Sequence, residues 1–242
     1  MIIEIYFGRD DIPEAGEIKM FAQYISNLFT FYLPVINTHL KKAVIELIID
    51  CNLTIEDYTF DNKVVTTYNS FHLSEWQAKE NKLQVMFNLA NQALTRLFER
   101  LNISTAILME VIKKIEGNDF KLNVELCKTP IINKAKDKQA ILLAEYKMES
   151  VIIVVVFLFS SGDSKHIPLF KTFPNPYIYN QIVKKVKWVN DSEIEIRNNS
   201  GEFRICINAN GKITTVYAPI GRDVDGIIEE IKFLTKEIYF ST

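Results

Sequence analysis

Cysteine is scarce in this chain. Cys51, Cys127 and Cys206 are far apart, odd in number and form no C-x-x-C pair, which excludes a disulfide framework and a thiolate zinc site and points to a reducing cytoplasm. Charge of one sign is missing too. The 28 basic and 30 acidic residues leave a net charge of -2, so the chain is not built to neutralise many phosphates and nucleic acid is not an expected partner. Glycine and proline are few, and usage leans to isoleucine, lysine and asparagine, a bias that fits an AT-rich genome such as many bacteria and their phages carry.

Local signatures of chemistry are also lacking. No phosphate-binding G-x-x-x-x-G-K, no G-x-G-x-x-G, no G-x-S-x-G and no calcium-binding loop occurs, so no cofactor is expected. His39, His72 and His166 are scattered, with neither H-x-x-x-H nor H-E-x-x-H spacing, and no metal site is expected from them. The opening, MIIEIYFGRDD, carries Glu4 and no basic stretch before a sustained apolar run, so it does not read as a secretory signal.

The longest apolar run, VIIVVVFLF at Val151–Phe159, is too short to span a membrane. A spanning helix needs roughly 20 apolar residues, and Glu149, Lys147 and Glu145 close this run on its N-terminal side. It lacks the alternation of a membrane barrel strand. Six of its nine residues are β-branched, which predicts a central strand with both faces covered.

What is present reads as an α+β chain. Ile2–Phe7 suits a first strand. Asp11, Pro13 and Glu14 form a helix-start pattern, followed by Ile18, Phe21, Ala22, Ile25, Phe29 and Tyr32 at helical spacing up to Pro34. Residues 40–51 fit helix or strand, with strand preferred, and Leu53–Phe60 with Val64–Phe71 read as a hairpin. Ser74-Glu75-Trp76-Gln77 looks like a capping box opening one long helix, whose stripe runs from Leu83 to Leu101. A shorter helix follows, stopped at Gly117-Asn118.

Beyond Gly117 the pattern turns to strands: Lys121–Cys127, Ala140–Tyr146 and Val151–Phe159. An irregular, proline-bearing piece over 160–179 follows, then a meander punctuated at Asn190-Asp191, Ser200-Gly201 and Asn210-Gly211. In the meander Ile194, Ile196, Phe203, Ile205 and Ile207 share one phase. Glu193, Glu195, Arg197, Glu202 and Arg204 share the other, predicting a wet, mixed-charge face. Asp225 to Ile238 has the spacing of a final helix. The expectation is one α+β domain over 1–242 with mostly antiparallel sheets and about four helices, open to subdivision into a helix-rich 1–117 and a β-rich 118–242.

Two catalytic patterns merit comparison with their plainer readings. Asp137 with Glu145-Tyr146-Lys147 resembles the acidic pair plus lysine of PD-(D/E)XK nucleases, which implies two carboxylates holding Mg²⁺ while the lysine activates water. The same Glu-x-Lys recurs at Glu17, Glu80 and Glu230, so the plainer reading is outward positions on a half-exposed strand. Gly162-Asp163-Ser164 resembles the nucleophile block of the GDSL hydrolases, but the only histidine after that serine is His166; a polar turn after a strand explains it. Gly8-Arg9-Asp10-Asp11 and Gly221-Arg222-Asp223-Val224-Asp225 each precede a helix, where aspartate is a preferred cap.

The segment 166–179, HIPLFKTFPNPYIY, weighs more. A long unstructured loop in a compact domain is often functional, and Phe170, Phe173, Tyr177 and Tyr179 would give it rigid contact area. The plainer alternative has these rings packing over a sheet edge. The sequence thus favours a cytoplasmic, non-enzymatic module that binds a partner protein, such as a bacterial immunity or inhibitor protein, through those four aromatics. The alternatives are a metal-dependent nuclease using Asp137, Glu145 and Lys147, and a structural subunit of a larger assembly.

Overall fold

A computed structural model describes residues 1–34, 40–50, 58–61, 63–172, 183–199, 201, 203–218 and 239–240. The chain divides into two compact units, Met1–Lys121 and Leu122–Thr242. Together they form an α+β fold with four helices and mostly antiparallel strand pairs among the described residues.

The first unit begins with β1 (Ile2–Phe7), α1 (Ala15–Tyr32) and β2 (Lys42–Ile49), in which β1 and β2 lie side by side in parallel. A parallel neighbour needs a crossover, and α1 supplies it. Then come β3 (Tyr58–Asp61) and β4 (Val64–Phe71), antiparallel to each other, with β4 parallel to β2, giving the order β1-β2-β4-β3. The preferred strand over 40–51 is therefore β2. The predicted hairpin keeps Tyr58–Phe71, while its first residues lie outside those described.

One face of this sheet is dry. Ile3, Ile5 and Phe7, then Ala43, Ile45 and Leu47, then Val65 and Phe71 turn inward and are buried. They meet α1 and the long helix α3 (Lys82–Arg100), whose apolar stripes also touch each other where Phe29 stacks on Phe87 at 5.4 Å. The shorter helix α4 (Thr105–Gly117) buries Leu108, Val111 and Ile115.

The outer edge of β1 is closed by hydroxyls. Ser26 Oγ accepts the Ile5 N–H at 2.7 Å and Thr30 Oγ1 accepts the Ile3 N–H at 2.8 Å, while Thr30 donates back to the Ile3 carbonyl at 3.0 Å. Residues four apart on a helix share a face, so α1 presents both hydroxyls to one strand edge. An open strand edge is a template for pairing with another chain; this one is occupied.

Helix starts differ from the sequence expectation in two places. Asp11 does not cap α1, because Arg9 takes both of its carboxylate oxygens, and the helix opens at Ala15 without a side-chain cap. The single long helix expected from Ser74 is two helices, α2 (Leu73–Ala78) and α3. The break is fixed by Asn81, whose side chain accepts the Gln84 N–H at 3.1 Å and caps α3. Trp76 holds α2 in place: wholly buried, it donates to Glu17 Oε2 at 2.9 Å and meets the rings of Phe21 and Phe71.

The second unit contains two sheets. The first is the antiparallel sheet β5 (Leu122–Ile132), β6 (Lys138–Tyr146), β7 (Val151–Phe159) and β8 (Ser164–Thr172), in that order. The second follows the order β13-β12-β11-β10-β9, made from the meander β9 (Lys185–Asn190), β10 (Glu193–Arg197), β11 (Arg204–Asn208) and β12 (Ile213–Ala218), with β13 (Tyr239–Phe240) parallel to β12. The sheets meet through Phe157 on Trp188, 5.7 Å apart, and Phe170 on Phe203, 6.2 Å apart. The inward phase predicted for the meander, Ile194, Ile196, Phe203, Ile205 and Ile207, is buried throughout.

VIIVVVFLF is β7, an inner strand. Ile153, Val155 and Phe157 are buried on one face and Val154 and Val156 on the other, leaving only Ile152, Leu158 and Phe159 partly open. No described helix is long and apolar enough to cross a membrane. The irregular piece expected over 160–179 is corrected in its first half: residues 164–172 are β8, paired with β7. Its proline is tolerated because β8 is an edge strand and the ladder is bulged where Pro168 faces Val154. The final helix expected over Asp225–Ile238 lies outside the described residues.

Candidate functional site

The residues singled out for metal chemistry do not converge. Asp137 lies in the turn between β5 and β6, where its carboxylate accepts from Asn133 Nδ2 at 2.6 Å and Lys138 Nζ at 2.7 Å. The Lys138 and Asn133 bonds hold its carboxyl below the usual range. Asn133 is buried and also accepts the backbone N–H groups of Asp137 and Lys138, so this constellation braces a turn. Glu145 sits near the far end of β6, about 26 Å away at the ~3.3 Å rise of a strand, and its carboxylate lies 3.8 Å from Lys147 Nζ. Two carboxylates at that separation cannot share a cation. Among the described residues no three His, Cys, Asp or Glu side chains gather closely enough to hold a metal ion.

The aromatic segment is divided. Phe170 is on β8 and wholly buried between the two sheets, a core residue and not part of an exposed loop. Phe173, Tyr177 and Tyr179 lie outside the described residues. Gly162-Asp163-Ser164 forms the polar turn between β7 and β8, with Ser161 Oγ donating to Asp163 at 2.7 Å and Gly162 at φ +90°.

What the fold does assemble lies at the carboxyl edge of the parallel strands. Arg9, just past β1, binds both oxygens of Asp11 at 2.9 and 2.6 Å. That bond and the guanidinium charge lower the Asp11 carboxyl to about 2. Asp50, just past β2, stands in the left-handed region at φ +48°, a region aspartate tolerates. Its Oδ1 accepts the Leu73 N–H at 3.1 Å and lies 3.1 Å from His72 Nδ1, just past β4. The Asp50 carboxylate thus caps α2 from a neighbouring strand and steadies an exposed imidazole. Beside it a cleft of about 290 Å³ is lined by Ser70, His72, Glu75, Lys79, Asn88 and Gln92. The sequence reading missed the Asp50–His72 pair, because 22 positions separate the two and only the parallel pairing of β2 with β4 aligns their ends.

Two sheet faces carry unusual side chains. The outward face of the first unit's sheet presents Ile2 and Tyr6 at 56 % and 50 % exposure, with partly open Val44 and Ile48 on β2 and Val64 and Tyr68 on β4. In register, Tyr6 and Tyr68 stand on either side of Glu46. The outward face of the meander was expected to be wet, but Glu195 in it is only 8 % exposed. Lys187 Nζ at 3.2 Å, Arg204 Nη1 at 3.5 Å and Arg197 Nε at 3.7 Å surround its carboxylate, and their long stems cover it. Cys206, directly across the ladder from Glu195, has its thiol pushed up by burial and then by the Glu193 and Glu195 charges. A thiol so placed is a poor nucleophile.

Searches of protein-family models, curated proteins and solved structures match nothing to this chain.

Proposed function

We propose that this chain works by binding a partner protein in the cytoplasm, and that the outward face of the N-terminal sheet is the surface it uses. One observation carries this reading: a sheet whose β1, β2 and β4 run parallel, with helices packed on one face, leaves isoleucine, valine and tyrosine side chains half or partly open on the other. Parallel sheets are ordinarily covered on both faces, and a contiguous apolar patch rimmed by polar groups marks an interaction surface. On this face apolar and polar side chains alternate, with Ile2 and Val64 on either side of Lys42, Tyr6 and Tyr68 on either side of Glu46, and a Glu4–Lys42 ion pair between the rows, a composition that suits a non-obligate interface no more apolar than the rest of a protein surface. Immunity and inhibitor proteins, which act by occupying a partner, are a category this reading accommodates.

The test is affinity capture from the native host with wild type and with Ile2→Ser combined with Tyr6→Ser, followed by titration of the purified captured protein. Both positions are exposed, so the double variant should melt with the wild type. The expected result is a partner bound by wild type and weakened at least about 100-fold in the variant, the loss of two anchor side chains. Equal capture by both proteins would remove this face from consideration.

A further inference from the structure

The cleft at the carboxyl end of β4 has a fixed frame and unengaged contents. Its walls are pinned from behind. Asp50 Oδ1 accepts the Leu73 N–H and lies against His72 Nδ1, which ties down the start of α2, and Lys82 Nζ donates to the Trp76 carbonyl closer to its end. Buried Asn69 on β4 donates to the Leu89 carbonyl at 2.8 Å, and Arg96 Nη2 donates to Asn69 Oδ1 at 3.0 Å, which ties α3 to β4. Inside this frame the side chains of Ser70, Glu75, Lys79 and Gln92 line the cleft and make no hydrogen bond or ion pair with a described residue. Asn88 gives its Oδ1 to Gln84 at 3.0 Å and has its Nδ2 unengaged, as His72 has its Nε2. Phe71, Val85 and Leu89 give the cleft an apolar side. A site whose supporting elements are locked while its polar groups stand unpaired is organised in advance for a ligand.

Glu75 and Lys79 decide the ligand class. They stand four residues apart in the order that best forms an ion pair along a helix, yet they form none with each other, and both line the cleft. We propose that this cleft binds a free α-amino acid, with Glu75 accepting from its ammonium group, Lys79 pairing with its carboxylate, and the side formed by Phe71, Val85 and Leu89 taking an aliphatic side chain. A simple anion is a poorer fit because Glu75 repels it, and a simple cation because Lys79 does. Ser70, Asn88 Nδ2, Gln92 and the imidazole that Asp50 steadies supply further hydrogen bonds at the polar end. At about 290 Å³ the cleft lies at the lower limit of ligand pockets, about 300 Å³, which suits a ligand of this size better than a nucleotide. Its place agrees as well, since open sheets with parallel strands hold ligands at the carboxyl ends of those strands. The inference stands apart from the partner-binding reading, for it invokes neither Ile2 nor Tyr6.

The experiment is NMR on the full chain, following the His72 ring protons while L-leucine, then pools of the other common amino acids, are added to about 10 mM, enough to fill a site with a Kd of about 1 mM. For the amino acid that binds, the N-acetyl form removes the ammonium charge and the amide form removes the carboxylate. The expected result is a saturable shift with a free amino acid and binding at least about tenfold weaker for each blocked form. Glu75→Gln should weaken the free amino acid about tenfold and remove its advantage over the N-acetyl form, and Lys79→Gln should do the same relative to the amide. Both residues are exposed, so the two variants should melt with the wild type. A cleft that is only solvated surface would give no saturable shift with any pool, which would overturn the proposal. So would a free amino acid bound no more tightly than its blocked forms, or affinity unchanged in either variant. The Ile2→Ser and Tyr6→Ser double variant should bind the amino acid as wild type does, so failure of this site and failure of the partner surface are told apart.

Discussion

Replacing Ser26 with alanine should loosen the edge of the N-terminal sheet by an amount that follows from its contacts. Ser26 is buried, accepts the Ile5 N–H at 2.7 Å and donates to the Ala22 carbonyl at 2.7 Å. The Ala22 carbonyl loses little when the serine goes, because a helix carbonyl retains its backbone partner. The Ile5 amide has no such reserve: it points away from β2, and leaving a buried donor unsatisfied costs about 1–3 kcal/mol. Alanine returns about 0.5 kcal/mol through its better helix propensity. The net effect is about 0.5–2.5 kcal/mol of local destabilisation, a roughly 2- to 70-fold rise in opening of the β1 edge. Hydrogen exchange at the Ile5 amide reads this directly and avoids assigning one unfolding free energy to a chain with two compact units. Thr30→Val, which removes the Ile3 amide's partner in a bond that is only part-buried, should speed exchange there by a smaller factor. An Ile5 amide whose protection is the same in wild type and Ser26→Ala would refute the idea that α1 secures this edge through its hydroxyls.

Other substitutions test other parts of the fold. Phe170→Ala should destabilise the second unit by about 3–5 kcal/mol, seen as a large fall in Tm; a change under about 1 kcal/mol would mean the ring is not in the core where it meets Phe203. The Asp11 carboxyl, lowered to about 2 by Arg9, has a folded value below its unfolded one. Its stabilising contribution is therefore present above about pH 4 and lost as pH falls toward 2. Carboxyl-carbon NMR should show the Asp11 midpoint rise toward the ordinary range in Arg9→Gln, and an unmoved midpoint would dismiss the pair. Asp50→Ala should cost about 1 kcal/mol by removing the cap on Leu73, with faster exchange of the first α2 amides as the readout.

Much of the fold could be read from local periodicity. The stripe Ile18, Ala22, Ile25 and Phe29 became the buried face of α1, and nine apolar residues became an inner strand. The alternating meander folded with its isoleucines inward because a two-residue period admits one dry face. Parallel pairing in the N-terminal sheet was not legible. Strands with one open face alternate in the same way whether their neighbours run parallel or antiparallel. The end of the long helix pattern misled because Ser74 and Asn81 are both good caps, and only the burial of Trp76 against α1 makes a break between them worthwhile. Phe170 read as loop because prolines surround it, although an edge strand can hold a proline at a bulge. The candidate sites were least legible. Glu195 looked like one surface charge among many, and its burial depends on three long side chains from three strands. The Asp50–His72 contact depends on which strand lies beside which.

The boundary between Lys121 and Leu122 has a consequence during synthesis. Each unit is an uninterrupted stretch of chain, and among the described residues no sheet borrows a strand across the boundary. At ~5–20 residues per second, the ribosome takes roughly ten seconds to deliver each half. The parallel N-terminal sheet must wait for β2 and then β4 to emerge, but none of its described strands is encoded later. The crossover-dependent half of the protein can therefore settle before the meander leaves the exit tunnel, so the slow step of folding runs while the rest is still being translated.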